Sequence, residues 1–204
     1  MGKILILNGS PRASKSNSKR YAEIFMRYSS GELVYQNITR KNHQDLCAAL
    51  DGYTDLLLVF PLYADALPVG MLQFLKVLEV NPPQRKPVIS ILINCGFLEY
   101  EQNKVALQMM ELFCRCNGYR LGARLMLGSG EAILDTPFRF IAVRSIRKLA
   151  RSVAQGTYQT YCATMPLPKK IFQWAANRYW TNYGKRFGIT KEQMQTMKIE
   201  SQDS

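Results

Sequence analysis

The stretch Gly9-Ser-Pro-Arg-Ala-Ser-Lys-Ser-Asn-Ser18 is the densest collection of chemically capable side chains in the sequence, with four serines, an asparagine and an arginine in one loop. An apolar run, Lys3 to Leu7, precedes it, and Tyr21, Ile24, Phe25 and Tyr28 recur at helical spacing after it. The loop therefore joins a buried strand to a new helix, with Ser16, Asn17 and Ser18 as available N-caps. The first turn of a helix holds N–H groups without intrahelical partners and the positive end of the dipole, so it favours an anion. Arg12 can add charge-assisted bonds. Phosphate binding is the chemistry this predicts; a solvated, capped turn is the plainer reading of the same serines. Gly9 to Ser16 also comes near the pattern G-x-x-x-x-G-K-[ST], with Ser14 in place of the second glycine. The later apolar strand ends in Pro61, where a nucleotide-hydrolysing P-loop protein usually places a magnesium-binding Asp, which argues against that alternative.

Two further loops follow apolar strands. Pro61-Leu-Tyr-Ala-Asp-Ala-Leu-Pro68 is stiffened by prolines and offers Tyr63 as a face or edge for a flat ring. Asn94-Cys-Gly-Phe-Leu-Glu99 combines polar groups and an aromatic with a glycine that permits close backbone approach. Cys95 has no resolving cysteine or activating base nearby in sequence, so it reads as a structural or site-lining thiol. Asp65 and Glu99 are ordinary loop carboxylates, and His43, flanked by Asn42 and Gln44, reads as a solvated histidine.

These loops need a frame, and the hydrophobic pattern supplies one. Lys3 to Leu7, Asp55 to Phe60 and Pro87 to Ile93 are continuous apolar runs of strand length, Glu32 to Ile38 is a weaker candidate, and Tyr119 to Leu127 supplies a fifth strand. Helical patterns alternate with them at Gln44 to Leu50, Pro68 to Leu78, Gln102 to Cys116 and Phe138 to Ala154. Alternation of this kind predicts an α/β three-layer sandwich, a five-stranded parallel sheet with helices on both faces. Ligands of such sheets bind beyond the carboxyl ends of the strands, where strand order reverses. From Thr164 onward the repeat stops, and a helical stretch, Ile171 to Tyr183, precedes a second one near Thr190. The expected division is thus residues 1–163 as the α/β domain and 164–204 as a C-terminal helical extension.

Composition narrows the class. The chain has 204 residues, 47% of them hydrophobic, enough for one well-buried domain. No apolar stretch approaches the roughly 18 residues of a membrane span or forms a signal-peptide core, so a cytoplasmic protein is expected. Five scattered cysteines, Cys47, Cys95, Cys114, Cys116 and Cys162, lack the spacing of a metal or iron–sulfur site and read as reduced, mostly packing thiols. The net charge of +12 is concentrated: Thr136 to Lys191 contains eleven Lys or Arg and no Asp or Glu. Arg144, Arg147, Lys148 and Arg151 share a helical face, and Lys169, Lys170 and Arg178 mix with Trp174, Tyr179 and Trp180. Such a region could meet lipid headgroups, nucleic acid or a nicotinamide phosphate. The expectation favoured instead is that Phe172, Trp174, Ala175, Tyr179 and Trp180 pack the extension on the domain or on a second subunit.

Together the three loops resemble those of the NAD(P)H-dependent FMN reductases of the flavodoxin-like superfamily. The carriers are Lys3 to Gly9 with Ser10-Pro-Arg12 and Ser16-Asn-Ser18, then Phe60-Pro-Leu-Tyr63 through Pro68, and Asn94-Cys-Gly-Phe97 with Glu99. The resemblance implies a flavodoxin-like sheet of order 2-1-3-4-5. It also implies that Ser10, Arg12, Ser16, Asn17 and Ser18 hold the FMN phosphate, that Pro61, Leu62, Tyr63 and Ala64 flank the isoalloxazine, and that Asn94, Gly96 and Phe97 complete the ring site. NADPH or NADH would be the electron donor, with free flavin, a quinone or a similar molecule as acceptor; the flavin does the chemistry, and no catalytic side chain or metal is expected. A homo-oligomer, dimer or tetramer, is expected, with no specific nucleic-acid partner, and peripheral membrane contact is not favoured. The rival is a flavodoxin-type electron carrier without nicotinamide turnover, disfavoured because such carriers are typically acidic.

Overall fold

A computed structural model describes residues 2–196. Six strands, β1 (Lys3–Asn8), β2 (Glu32–Asn37), β3 (Asp55–Pro61), β4 (Val88–Asn94), β5 (Leu121–Leu127) and β6 (Thr160–Ala163), form one parallel sheet of order β2-β1-β3-β4-β5-β6. The expected five strands are therefore corrected to six. β6 is only four residues long and mostly solvent-facing, so it carries no apolar run that sequence could reveal. The order reverses between β1 and β3, because the chain steps outward to β2 and then crosses back over β1.

The crossovers carry α1 (Asn17–Tyr28), α2 (His43–Ala49), α3 (Val69–Val80), α4 (Lys104–Cys116) and α5 (Arg139–Gln155). Side chains alternate across the sheet with a period of two. Leu5, Leu7, Leu58 and Phe60 join Leu46, Phe74 and Met110 from α2, α3 and α4 in one buried layer. Ile6, Leu57 and Leu92 point the other way, toward the side where α1 packs on α5. Asn8 is in register with Val59, and Asn94 with Pro61, so both asparagines end their strands on the α1 side. His43 is not freely solvated as expected: it is half-buried, with its ring edge-on to Phe74 at 6.4 Å.

Contacts divide the chain into a first unit, Met1–Met165, and a second beginning at Pro166. The second unit is a helical hairpin of α6 (Lys169–Lys185) and the short α7 (Lys191–Met194), the latter started by a capping box between Thr190 and Gln193. Residues 197–204 of the expected extension lie outside the described residues. No described helix is long and apolar enough to cross a membrane.

Gly128 follows β5 at a point with no room for a side chain: a Cβ there would meet the Leu98 carbonyl oxygen and lie 2.7 Å from Thr164 Oγ1 and 3.0 Å from the Tyr100 backbone nitrogen. Because most of these neighbours are backbone, Gly128→Ala is expected to destabilise the first unit by about 1–3 kcal/mol. In a thermal melt this corresponds to a loss of several degrees, and an unchanged melting temperature would show that the turn relaxes freely.

Candidate functional site

At the carboxyl ends of β1, β3 and β4 three loops border a cleft of about 140 Å³. The first loop is shaped from inside by Asn8, whose side chain is fully buried. Its Oδ1 accepts from the Ser10 backbone N–H at 3.0 Å, and its Nδ2 lies 3.0–3.2 Å from the Ala13 carbonyl, Ser16 Oγ, Tyr35 Oη and Asn37 Oδ1. A buried carboxamide must satisfy both ends, so these bonds fix where the chain leaves β1. Ser16 then caps α1 by accepting from the Lys19 N–H at 3.2 Å. The consequence is that Ser10, Arg12, Asn17 and Ser18 line the cleft beside the first turn of α1.

The second loop turns at Ala64 and Asp65, both with left-handed backbone (φ 47° and 57°), between Tyr63 and Ala66, which exchange two backbone hydrogen bonds of 3.0 Å. This is a tight hairpin turn made without the glycine or asparagine such a conformation favours. It leaves Tyr63 59% exposed on the rim, with Pro61 and Leu62 in the cleft wall. The third corner is Asn94, whose Nδ2 donates to Ser18 Oγ and to the Phe60 carbonyl, both at 3.1 Å. One buried amide thus ties the end of β4 to the end of β3 and to α1.

A fourth loop, between β5 and α5, closes the remaining side, and no sequence motif announces it. The Gly130 carbonyl accepts a 2.7 Å bond from the buried Tyr21 hydroxyl, and Asp135 is held by the two terminal guanidinium nitrogens of Arg20, Nη2 at 2.5 Å and Nη1 at 2.8 Å. That pairing holds the Asp135 carboxyl below its usual range. Between these two staples Glu131 enters the cleft. Its Oε1 is 3.0 Å from Arg12 Nη1, its Oε2 is 3.5 Å from Asn17 Nδ2, and its carbonyl accepts from the same Asn17 amide at 3.0 Å. A carboxylate therefore sits on the cationic and amide donors of the loop that reads as a phosphate cradle.

Of the residues assigned from sequence, Ser10, Arg12, Asn17, Ser18, Pro61, Leu62, Tyr63, Asn94 and Gly96 come together around the cleft, joined by Pro11, Cys95 and Glu131. Ser16 faces inward as the α1 cap, Ala64 sits at the turn tip, and Phe97 is exposed; none of the three lines the cleft. Among the described residues, the non-glycine positions with left-handed backbone are Ala13, Ala64, Asp65 and Ser129, all in loops bordering the cleft. Strained backbone of this sort concentrates where a ligand dictates loop shape.

Cys95 is buried, accepts from Asn103 Nδ2 at 3.4 Å, and has its thiol pushed up to about 11 by burial. Cys47 is likewise raised to about 11 and Cys114 to about 12, whereas Cys116 and Cys162 are exposed, so the expectation of buried packing thiols fails for the last two. With neutral thiols favoured by the fold, their contribution to stability is complete below pH 9 and is lost as pH rises toward 11–12. Native protein at pH 7.5 (about one unit below a free thiol) is expected to take up two equivalents of a maleimide rapidly, at Cys116 and Cys162. Rapid modification of Cys95 would contradict its assignment as an inert lining thiol.

No protein-family model matches the chain, and no curated protein matches it in sequence. Solved structures do match its backbone. An NAD(P)H:quinone oxidoreductase from Methanothermobacter marburgensis superposes with a TM-score of 0.58 at 15% identity, over 74% of this chain and 94% of that one. The Trp repressor binding protein of Bacillus subtilis gives 0.59 at 14% identity over 72% and 99%, and an azoreductase from Bacillus anthracis gives 0.55 at 13% over 76% and 100%. A flavodoxin of Streptococcus pneumonia TIGR4 gives 0.55 at 12% over 74% and 98%. With its parallel sheet, its reversal at β1 and β3 and its helices on both faces, this chain has the flavodoxin-like fold.

Proposed function

We propose that the cleft binds FMN and that the protein is an NAD(P)H-dependent reductase, passing electrons through bound flavin to a second acceptor such as a quinone or free flavin. The observation that carries this reading is the convergence of three strand-end loops of different character on one cleft: hydroxyl and amide donors at the α1 N-terminus on one side, Pro61, Leu62 and Tyr63 on the other. The likeness to structures described as quinone oxidoreductase and azoreductase supports it. FMN fits this donor set. Ser10, Ser18, Asn17 and Arg12 would hold its phosphate, with the N-terminal N–H groups of α1 contributing as in other anion sites. Pro61, Leu62 and Tyr63 would flank the ring, and Asn94 and Gly96 would border it.

When bound, FMN supplies hydride acceptance and electron delivery. The chain's own task is to anchor, orient and keep open one face for the donor and acceptor in turn. Hydride transfer needs no proton abstracted by the protein, which accords with a cleft whose one lining carboxylate, Glu131, is engaged by Arg12. The expected domain division, with residues 164–204 as an appendage to a flavin domain, and a homo-oligomeric assembly belong to this same reading.

Purified protein reconstituted with FMN is expected to show bands near about 375 and 450 nm that bleach on anaerobic NADPH or NADH and return on adding a quinone. Flavin that stays oxidised with both nicotinamides would instead identify an electron carrier. Glu131 gives a second test. A phosphate entering the cradle must displace its carboxylate from Arg12, so Glu131→Gln is expected to tighten FMN binding by about tenfold, the scale of one removed like charge. Riboflavin, which lacks the phosphate, should bind wild type and variant equally; an equal gain for both ligands would remove Glu131 from the phosphate site.

A further inference from the structure

The second unit has features that flavin chemistry does not use. We propose that α6 is an interfacial helix that docks the protein on an anionic lipid surface. At about 100° per residue, Ile171, Phe172, Ala175, Tyr179, Trp180 and Tyr183 fall on one half of the helix circumference. Lys170, Arg178 and Lys185 fall on the other half together with Trp174, whose ring lies 5.8 Å from the Arg178 guanidinium. Of the residues of this 17-residue helix only Gly184 is buried; it is covered by Met194, so that α7 folds back against it and Phe187 and Ile189 are displayed at the turn. Trp174 is 63% exposed and Phe187 65%, an aromatic display of the kind that marks an interaction surface.

Charge selects the occupant. The described residues of this unit hold Lys169, Lys170, Arg178, Lys185, Arg186 and Lys191 against a single acid, Glu192. A second copy would set the same cations against themselves, whereas an anionic bilayer complements them, and Lys and Arg flanking Trp and Tyr is the composition of interface-seeking helices. A nucleic-acid groove fits less well, because the rings of Tyr179, Trp180, Tyr183 and Phe187 contact one another at centroid distances of 5.1–6.3 Å instead of standing apart as platforms for bases.

The chain's two tryptophans, Trp174 and Trp180, both belong to α6, so intrinsic tryptophan fluorescence reports this helix alone. The full-length protein should co-sediment with phosphatidylcholine vesicles containing phosphatidylglycerol but not with phosphatidylcholine alone. Its tryptophan emission should shift to shorter wavelength on binding, and raising salt should release it. Lys170→Glu, Arg178→Glu and Lys185→Glu together are expected to weaken partitioning at least about tenfold; the salt titration on wild type tests the same point without relying on the variant's folding. The proposal is overturned by failure to bind the anionic vesicles, by equal binding to neutral ones, by preferential binding of duplex DNA or RNA, or by tryptophans already shielded from acrylamide in a lipid-free dimer.

Discussion

The site rests on the hydrogen-bonding demand of one buried carboxamide. Asn8 ends β1 with its side chain sealed from water, and the low dielectric makes each unmade bond costly, about 1–3 kcal/mol. It therefore collects the Ser10 N–H, the Ala13 carbonyl and Ser16 Oγ from the loop that follows, and Tyr35 and Asn37 from β2. The loop has little freedom left. Ser16 is turned into a helix cap, and the first turn of α1 is aimed at the cleft. Asn94 repeats the device two strands away, binding Ser18 on α1 and the Phe60 carbonyl of β3. Two amides at strand ends thus hold three chain segments in register.

Tension enters from the fourth loop. Tyr21 and Arg20, one turn into α1, fasten the β5–α5 connection at Gly130 and Asp135, and Glu131 between them faces the donors of the first loop. Arg12 and Glu131 are both largely solvent-facing, so their pairing adds little to stability, of order 1 kcal/mol or less. Its importance is positional. Under the proposed function this carboxylate competes with the FMN phosphate and links its entry to a loop tied directly to α1 and α5.

Much of this was legible in the sequence. β1, β3 and β4 are apolar runs because both faces of a parallel sheet are covered, and the loops after them announce themselves through Gly, Pro, Ser and Asn. The β1–α1 loop could be read as a cleft-lining junction because strand, hydroxyls and helix start are contiguous. Glu131 could not, since its meaning depends on contacts across 114 to 119 residues of chain. β6 is not legible because its four residues, two of them exposed and only Ala163 buried, leave no period to detect, and the polar sequence neighbours of His43 say nothing of Phe74 on the adjacent helix. The residue type of Ser16 suits a ligand contact, while the geometry uses its hydroxyl for the cap; a serine before a helix serves either purpose equally well in sequence.

In the proposed function the flavin phosphate belongs at the N-terminus of α1, with the ring toward β3 and β4. A crystal structure of the protein grown with FMN tests it most directly. The phosphate is expected beside Ser10, Ser18 and Arg12, with the Glu131 carboxylate moved off Arg12 and the ring against Pro61, Leu62 and Tyr63. Flavin bound elsewhere, or a Glu131–Arg12 pair left intact beside bound flavin, would contradict it.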